Sequence, residues 1–192
     1  MWAKVESGSV TEIYTRPKQL TIGDVQYPKN IFQLWSSSEL EAIGIYEITI
    51  NSTNLKDQEY YNNTGITYTY ASGAVTGAYN TATAKSLTDT SETVDGVTTT
   101  VLGLKSVHKN NINSKASVLL TKHDWMSIRE AEGGTDMPSN IKTWRAGLRT
   151  KANSMCTAVD NAANVDALAA LYVYNSDDPP TRPLGEFPSE PS

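Results

Sequence analysis

Apolar and polar positions alternate with a period of two in the front of this chain and recur every three to four residues in the back. In the front, Ile66-Thr67-Tyr68-Thr69-Tyr70 alternates strictly, with Ile66, Tyr68 and Tyr70 on one face and two threonines on the other. Ser72-Gly73 then turns the chain into 74–79, which predicts a hairpin. Val10 to Tyr14 reads as a short strand ended by Arg16-Pro17, and 20–26 as a strand pair about Gly23-Asp24. Ser38-Glu39-Leu40-Glu41 has the spacing of a capping box and predicts one short helix, 39–43, stopped by Gly44. Ile45 to Ile50 follows as a strand, and Asn51 to Asn54 as a turn cluster. Residues 80–93 are rich in Thr and Ser and read as a connector, and Asp95-Gly96 marks a second, shorter hairpin.

In the back, Val101, Leu104, His108, Ile112, Ala116 and Leu119 fall on one helical face. Asp124 is placed to cap a short helix, 125–132, which Gly133-Gly134 would stop. Beyond Pro138, the residues Ile141, Trp144, Leu148, Ala152, Met155 and Val159 form the clearest stripe in the chain. Asn164 is placed to cap a last helix carrying Val165, Leu168 and Leu171. The expected fold class is α+β. It comprises a β-rich domain over 1–85 with hairpins and one short helix, a connector with the short hairpin over 86–100, and a helical hairpin or small bundle over 101–175. Residues 176–192 carry five prolines and predict an extended tail. Two readings are open for the tail: a solvated terminus, or an arm that ties onto a neighbouring subunit.

Composition narrows the function classes. Charged residues make up 19 % and the formal net charge is −5, with no Lys/Arg block, which argues against nucleic-acid binding. No apolar run reaches the roughly 18–20 residues of a membrane span, so no membrane insertion is expected. The single cysteine, Cys156, excludes an internal disulfide and reads as a small core residue on a helix. The two histidines, His108 and His123, lack the spacing of a metal site, and His108 reads as a packed residue. No metal or other cofactor is expected. His123-Asp124 near several serines raises a hydrolase only weakly, because there is no nucleophile-elbow pattern.

The stretch from Leu104 to Arg149 contains Leu119-Leu120-Thr121, then Asp124-Trp125 with Arg129, then Pro138, then Trp144-Arg145 with Leu148-Arg149. This pattern resembles the tail assembly chaperones and tail-fibre accessory proteins of bacteriophages. In them an apolar helix leads into a Thr-Asp-Trp motif followed by Arg and then by an aromatic-Arg-x-x-Leu-Arg motif. The front is loosely similar in its early Trp2, the turn from Gly23 to Tyr27-Pro28, the aromatic segment 32–35, and 40–45. Two departures stand out: Lys122-His123 are inserted before Asp124, and Trp144 replaces the usual Tyr. The resemblance implies a non-enzymatic phage tail protein that binds a tail-fibre or baseplate component, with self-association as a further option. It would be a permanent virion subunit or a released chaperone, found in the virion tail or in the host cytoplasm during assembly. By position Asp124, Trp125, Arg129, Trp144, Arg145 and Arg149 match the motif. The two tryptophans are expected to be structural, and Arg145 and Arg149 to touch the partner. A carbohydrate-binding module for host glycans, resting on the Tyr-bearing hairpin, is the alternative.

Overall fold

The computed structural model describes residues 1–191, which divide into two units, Met1–Thr83 and the remainder from Ala84 on. The α+β class stands: strands dominate the first unit and helices the second.

In the first unit, β1 (Trp2–Glu6) lies between β2 (Ser9–Tyr14) and β5 (Ile45–Asn51), antiparallel to both. β5 runs parallel to β8 (Ala74–Tyr79), which pairs antiparallel with β7 (Ile66–Ala71), so the sheet order is β2-β1-β5-β8-β7. A separate hairpin joins β3 (Leu20–Ile22) to β4 (Val25–Tyr27). The short strands β6 (Tyr61–Asn62) and β9 (Thr83–Ala84) complete the set up to the unit boundary.

Both faces of the five-stranded sheet are apolar. On one face Tyr14 and Ile45 pack with Leu20, Ile31, Phe32 and Leu40, backed by Trp2, Tyr27 and Trp35. On the other, Ala3, Ile48 and Val75 lie under Tyr46, Tyr68 and Tyr70. The tyrosine face predicted from the period-two pattern is therefore part of the packing of its own unit. The Tyr70 hydroxyl meets that of Tyr46 at 3.2 Å, and a Cβ on Gly77 would come within 2.8 Å of the Tyr68 ring.

The short strands β6 and β9 are not expected from the pattern, and three further elements that shape the packing differ from the sequence reading. β1 is absent from it, because Trp2-Ala3-Lys4-Val5-Glu6 looks half-charged; the pairing of β1 on both sides settles its conformation. The aromatic segment forms a one-turn helix, α1 (Ile31–Leu34), that drives Ile31 and Phe32 inward. The second helix, α2 (Ser37–Ala42), is capped by Ser36 with Glu39, not by Ser38 with Glu41. Two overlapping S-x-x-E frames exist here. The earlier one forms the reciprocal capping box, with Leu40 as the helix's buried residue.

In the second unit, β10 (Thr90–Val94) and β11 (Val97–Val101) form the second predicted hairpin, in continuous register from Thr90↔Val101 to Val94↔Val97. Asp95 and Gly96 have φ of 52° and 78°, the left-handed pair that a two-residue type I′ turn requires. Val101 belongs to this ribbon, and α3 (Leu104–Thr121) starts three residues later than the apolar stripe suggested. Gly103 carries the junction. Its N–H donates to Asp89 Oδ1 at 2.8 Å, and a Cβ there would collide with the Thr88 backbone.

α4 (Asp124–Ala131) and α5 (Ser139–Asn161) follow, and then α6 (Val165–Ala170), whose N-cap Asn164 accepts from Ala167 N at 2.8 Å as expected. The α3 stripe Leu104, His108, Ile112 and Ala116 is buried, as is the whole α5 stripe from Ile141 to Val159. Leu148 and Leu168 are fully inaccessible. His108 is packed, with Nδ1 2.8 Å from the Tyr172 hydroxyl. Cys156 is half-buried rather than core, its thiol 3.7 Å from Asn113 Oδ1. Burial pushes that thiol's pKa up.

The Pro-rich tail docks on its own helices. Leu184 is buried and its N–H donates to the Leu171 carbonyl at 3.0 Å. Further on, the Pro188 carbonyl accepts from Trp144 Nε1 at 3.0 Å, and Glu190 pairs with Lys122 and His123.

Candidate functional site

The motif residues gather where α3, α4 and α5 meet, and they divide into an inward and an outward set. Trp144 and Arg145 on α5 point inward, each 6 % exposed. Arg145 Nη1 donates to the Leu120 carbonyl at 2.6 Å and Nη2 to Asp124 Oδ1 at 2.7 Å. The guanidinium therefore joins the last turn of α3 to the first turn of α4. Its planar fork reaches both acceptors at once, as a single ammonium does not. Trp144 stands edge-on to His123 with ring centroids 5.5 Å apart, and its indole N–H holds the tail.

Asp124 does not cap α4. It is the first residue of the helix, preceded by His123, whose side chain makes no capping bond. His123 Nε2 lies 2.8 Å from Glu190 Oε1, and Asp124 turns to Arg145 instead. His123 and Asp124 thus face different partners, and the arrangement gives no support to a His–Asp relay.

The outward set is Trp125, Arg129 and Arg149. α4 contributes no buried residue, and Trp125 and Ile128 are 53 % and 58 % exposed. Trp125, expected to be structural, lies at the surface. Arg129 stacks over its ring at 4.9 Å while donating from Nε to the Thr135 carbonyl at 2.9 Å. That bond fixes the guanidinium against the following loop and presents tryptophan and arginine as one preformed patch. Glu130 on the same helix pairs with Lys142, which holds the Glu130 carboxyl below its ordinary range and the Lys142 ammonium above its own.

Arg149 is exposed on the flank of α5. It lines a cleft of about 390 Å³ with Asn113, Ser117, Thr121 and Asn153, and has no ion-pair partner among the described residues. Arg145 and Arg149 are i,i+4 neighbours, yet one is spent on internal bonds and the other is open. Sequence alone gives them the same standing, since helical spacing assigns a face but not the carbonyl that Arg145 finds on another helix.

The tail covers the other flank of the α3–α5 pair. Phe187 lies beside Lys115, Val118 and Leu119, and Glu190 beyond it pairs with Lys122 at 2.9 Å. Lys122 and His123 hold the Glu190 carboxyl below its ordinary value of about 4.5. The folded state is therefore the one that keeps Glu190 ionised. Its contribution is complete above pH 4.5 and lost as pH falls through the depressed value. The tail amides around Ser189 and Glu190 are expected to lose hydrogen-exchange protection below that pH, before the α5 core does. Simultaneous loss in both regions would show that the ion pairs do not hold the tail end.

Comparison with family models, curated proteins and solved structures finds no match for this chain.

Proposed function

We propose that this chain is a bacteriophage tail protein that binds a tail-fibre or baseplate component through the outer face of α4. It acts as a permanent adaptor or as an assembly chaperone. The observation that carries this reading is the stacked Trp125–Arg129 pair beside Ile128, on a helix that buries none of its residues. A large aromatic ring held half in water by its own helix stabilises the unit little. Tryptophan and arginine are among the side chains most enriched at interface hot spots: the indole buries a large area with few rotamers to fix, and the guanidinium stacks on rings and donates planar, bidentate hydrogen bonds. The motif resemblance supplies the partner class, and the outward set supplies the surface. Arg149, open in its cleft with Asp124, offers a further contact on the neighbouring helix.

The test combines occupancy and mutation. Quantitative mass spectrometry of purified particles is expected to find the chain at a fixed ratio to the tail proteins, or else to find it bound to the fibre in infected-cell lysate. Trp125→Ala with Ile128→Ala is expected to leave the melting temperature nearly unchanged and to weaken fibre binding by about thirtyfold or more, as truncation of a central hot spot does. Wild-type binding by the double variant would remove α4 as the contact surface. Absence from both particle and fibre would remove the tail-protein reading.

A further inference from the structure

The β10–β11 ribbon is the most conspicuous element that the α4 reading leaves unused. Every residue from Thr90 to Val101 is exposed, so the hairpin has no core of its own. Two strands alone are marginal in water. This ribbon is nevertheless planted firmly at its base: Asp89 accepts from Gly103 N–H, Leu104 N donates to the Ser86 carbonyl and Lys105 N to that of Leu87.

The register separates its faces. Cross-strand partners share a face, so Thr90/Val101, Glu92/Thr99 and Val94/Val97 lie on one side, and Ser91/Thr100 and Thr93/Thr98 on the other. One side thus holds three valines, two threonines and the Glu92 carboxylate, and the other is all hydroxyl. Val94 and Val97 are 65 % and 64 % exposed. The edges carry no proline, no lysine and no register shift, and Glu92 is the one charged side chain on either strand. The ribbon's only charges, Glu92 and Asp95, are both negative.

We infer that the β10–β11 ribbon is a strand-addition arm that pairs with an open strand of a partner protein, its valine face covered and Glu92 opposite a cation on that strand. This rests on the reading of the chain as a protein-binding subunit and gives it a second contact, on a different surface. Backbone pairing supplies affinity, while the valines and Glu92 select the partner strand. A second copy of this chain is disfavoured as the occupant, because two such ribbons bring four carboxylates together and the whole chain is at −5.

The full chain is titrated with the synthetic strand Ac-Val-Thr-Lys-Thr-Val-NH2, whose alternation places Val, Lys and Val on one face. Amide exchange is followed by NMR. At millimolar peptide the amides of one ribbon strand are expected to shift and to exchange about tenfold more slowly, with the α4 amides unmoved. The analogue with Glu in place of Lys is expected to have no effect on the natural chain and to bind the Glu92→Lys variant, whose ribbon resonances report that it is still folded. The inference is overturned if neither peptide protects the ribbon, or if both do so equally. It is also overturned if protection grows with protein concentration alone, which would mean a second copy. A failure here leaves the α4 fibre-binding result untouched, and the reverse also holds.

Discussion

Arg145→Ala is expected to destabilise the helical unit by about 2–4 kcal/mol, the range for removing a buried, charge-assisted bridge when its anion keeps some access to water. The side chain is 7 % exposed while that of Asp124 is 51 % exposed. The anion left behind can therefore be solvated, which keeps the loss at the lower side of what a fully buried pair would show. Most of the cost comes from the missing donor at the Leu120 carbonyl and from the void left by the guanidinium stem. Arg145→Lys should recover less than half of the stability, since one ammonium does not span Leu120 and Asp124 together. Arg149→Ala, about one helical turn away on the open flank, should change stability by no more than about 0.5 kcal/mol. Urea midpoints of the three variants decide the matter. Equal midpoints for Arg145→Ala and Arg149→Ala would overturn the division between inward and outward arginines.

Trp144→Ala carries the other large effect, about 3–5 kcal/mol, typical for truncating a buried tryptophan. It removes the ring beside His123 and also the donor that holds the Pro188 carbonyl. Trp144→Phe separates the two contributions. It keeps an aromatic ring in the site and loses the N–H, worth about 1 kcal/mol, along with the smaller volume difference between indole and phenyl. The tail should respond to both variants alike: hydrogen exchange from Phe187 to Glu190 accelerates in each, while α5 exchange accelerates only in Trp144→Ala. Unchanged tail protection in Trp144→Phe would show that the indole bond is not what seats the tail.

The sequence is most legible where periodicity is long and unopposed. The α5 stripe from Ile141 to Val159, the cap at Asn164 and the turns at Ser72-Gly73 and Asp95-Gly96 are local signals, and each appears where the pattern places it. What the pattern misses depends on partners distant in sequence. β1 owes its conformation to β2 on one side and β5 on the other, neither of which the composition of Trp2–Glu6 announces. The parallel pairing of β5 with β8 is equally invisible to alternation, which fixes faces but not neighbours.

Within the candidate site, the identity of the residues is legible and their orientation is not. Trp125 and Trp144 look alike in the motif, yet one lies at the surface and the other in the core. The tail shows the same limit. Its prolines predict an extended chain, but partners earlier in the sequence, the Leu171 carbonyl, the Trp144 indole and the Lys122–His123 pair, determine where that chain lies.

The tail's position also imposes an order on biosynthesis. Trp144 is made 44 residues before the Pro188 carbonyl that accepts its N–H. At roughly 5–20 residues per second, that interval lasts about two to nine seconds on the ribosome. During it the indole N–H has no Pro188 carbonyl to donate to. The bond that seats Trp144 against the tail therefore forms only after α6 and the segment beyond it have been made, which makes this contact one of the last the unit acquires.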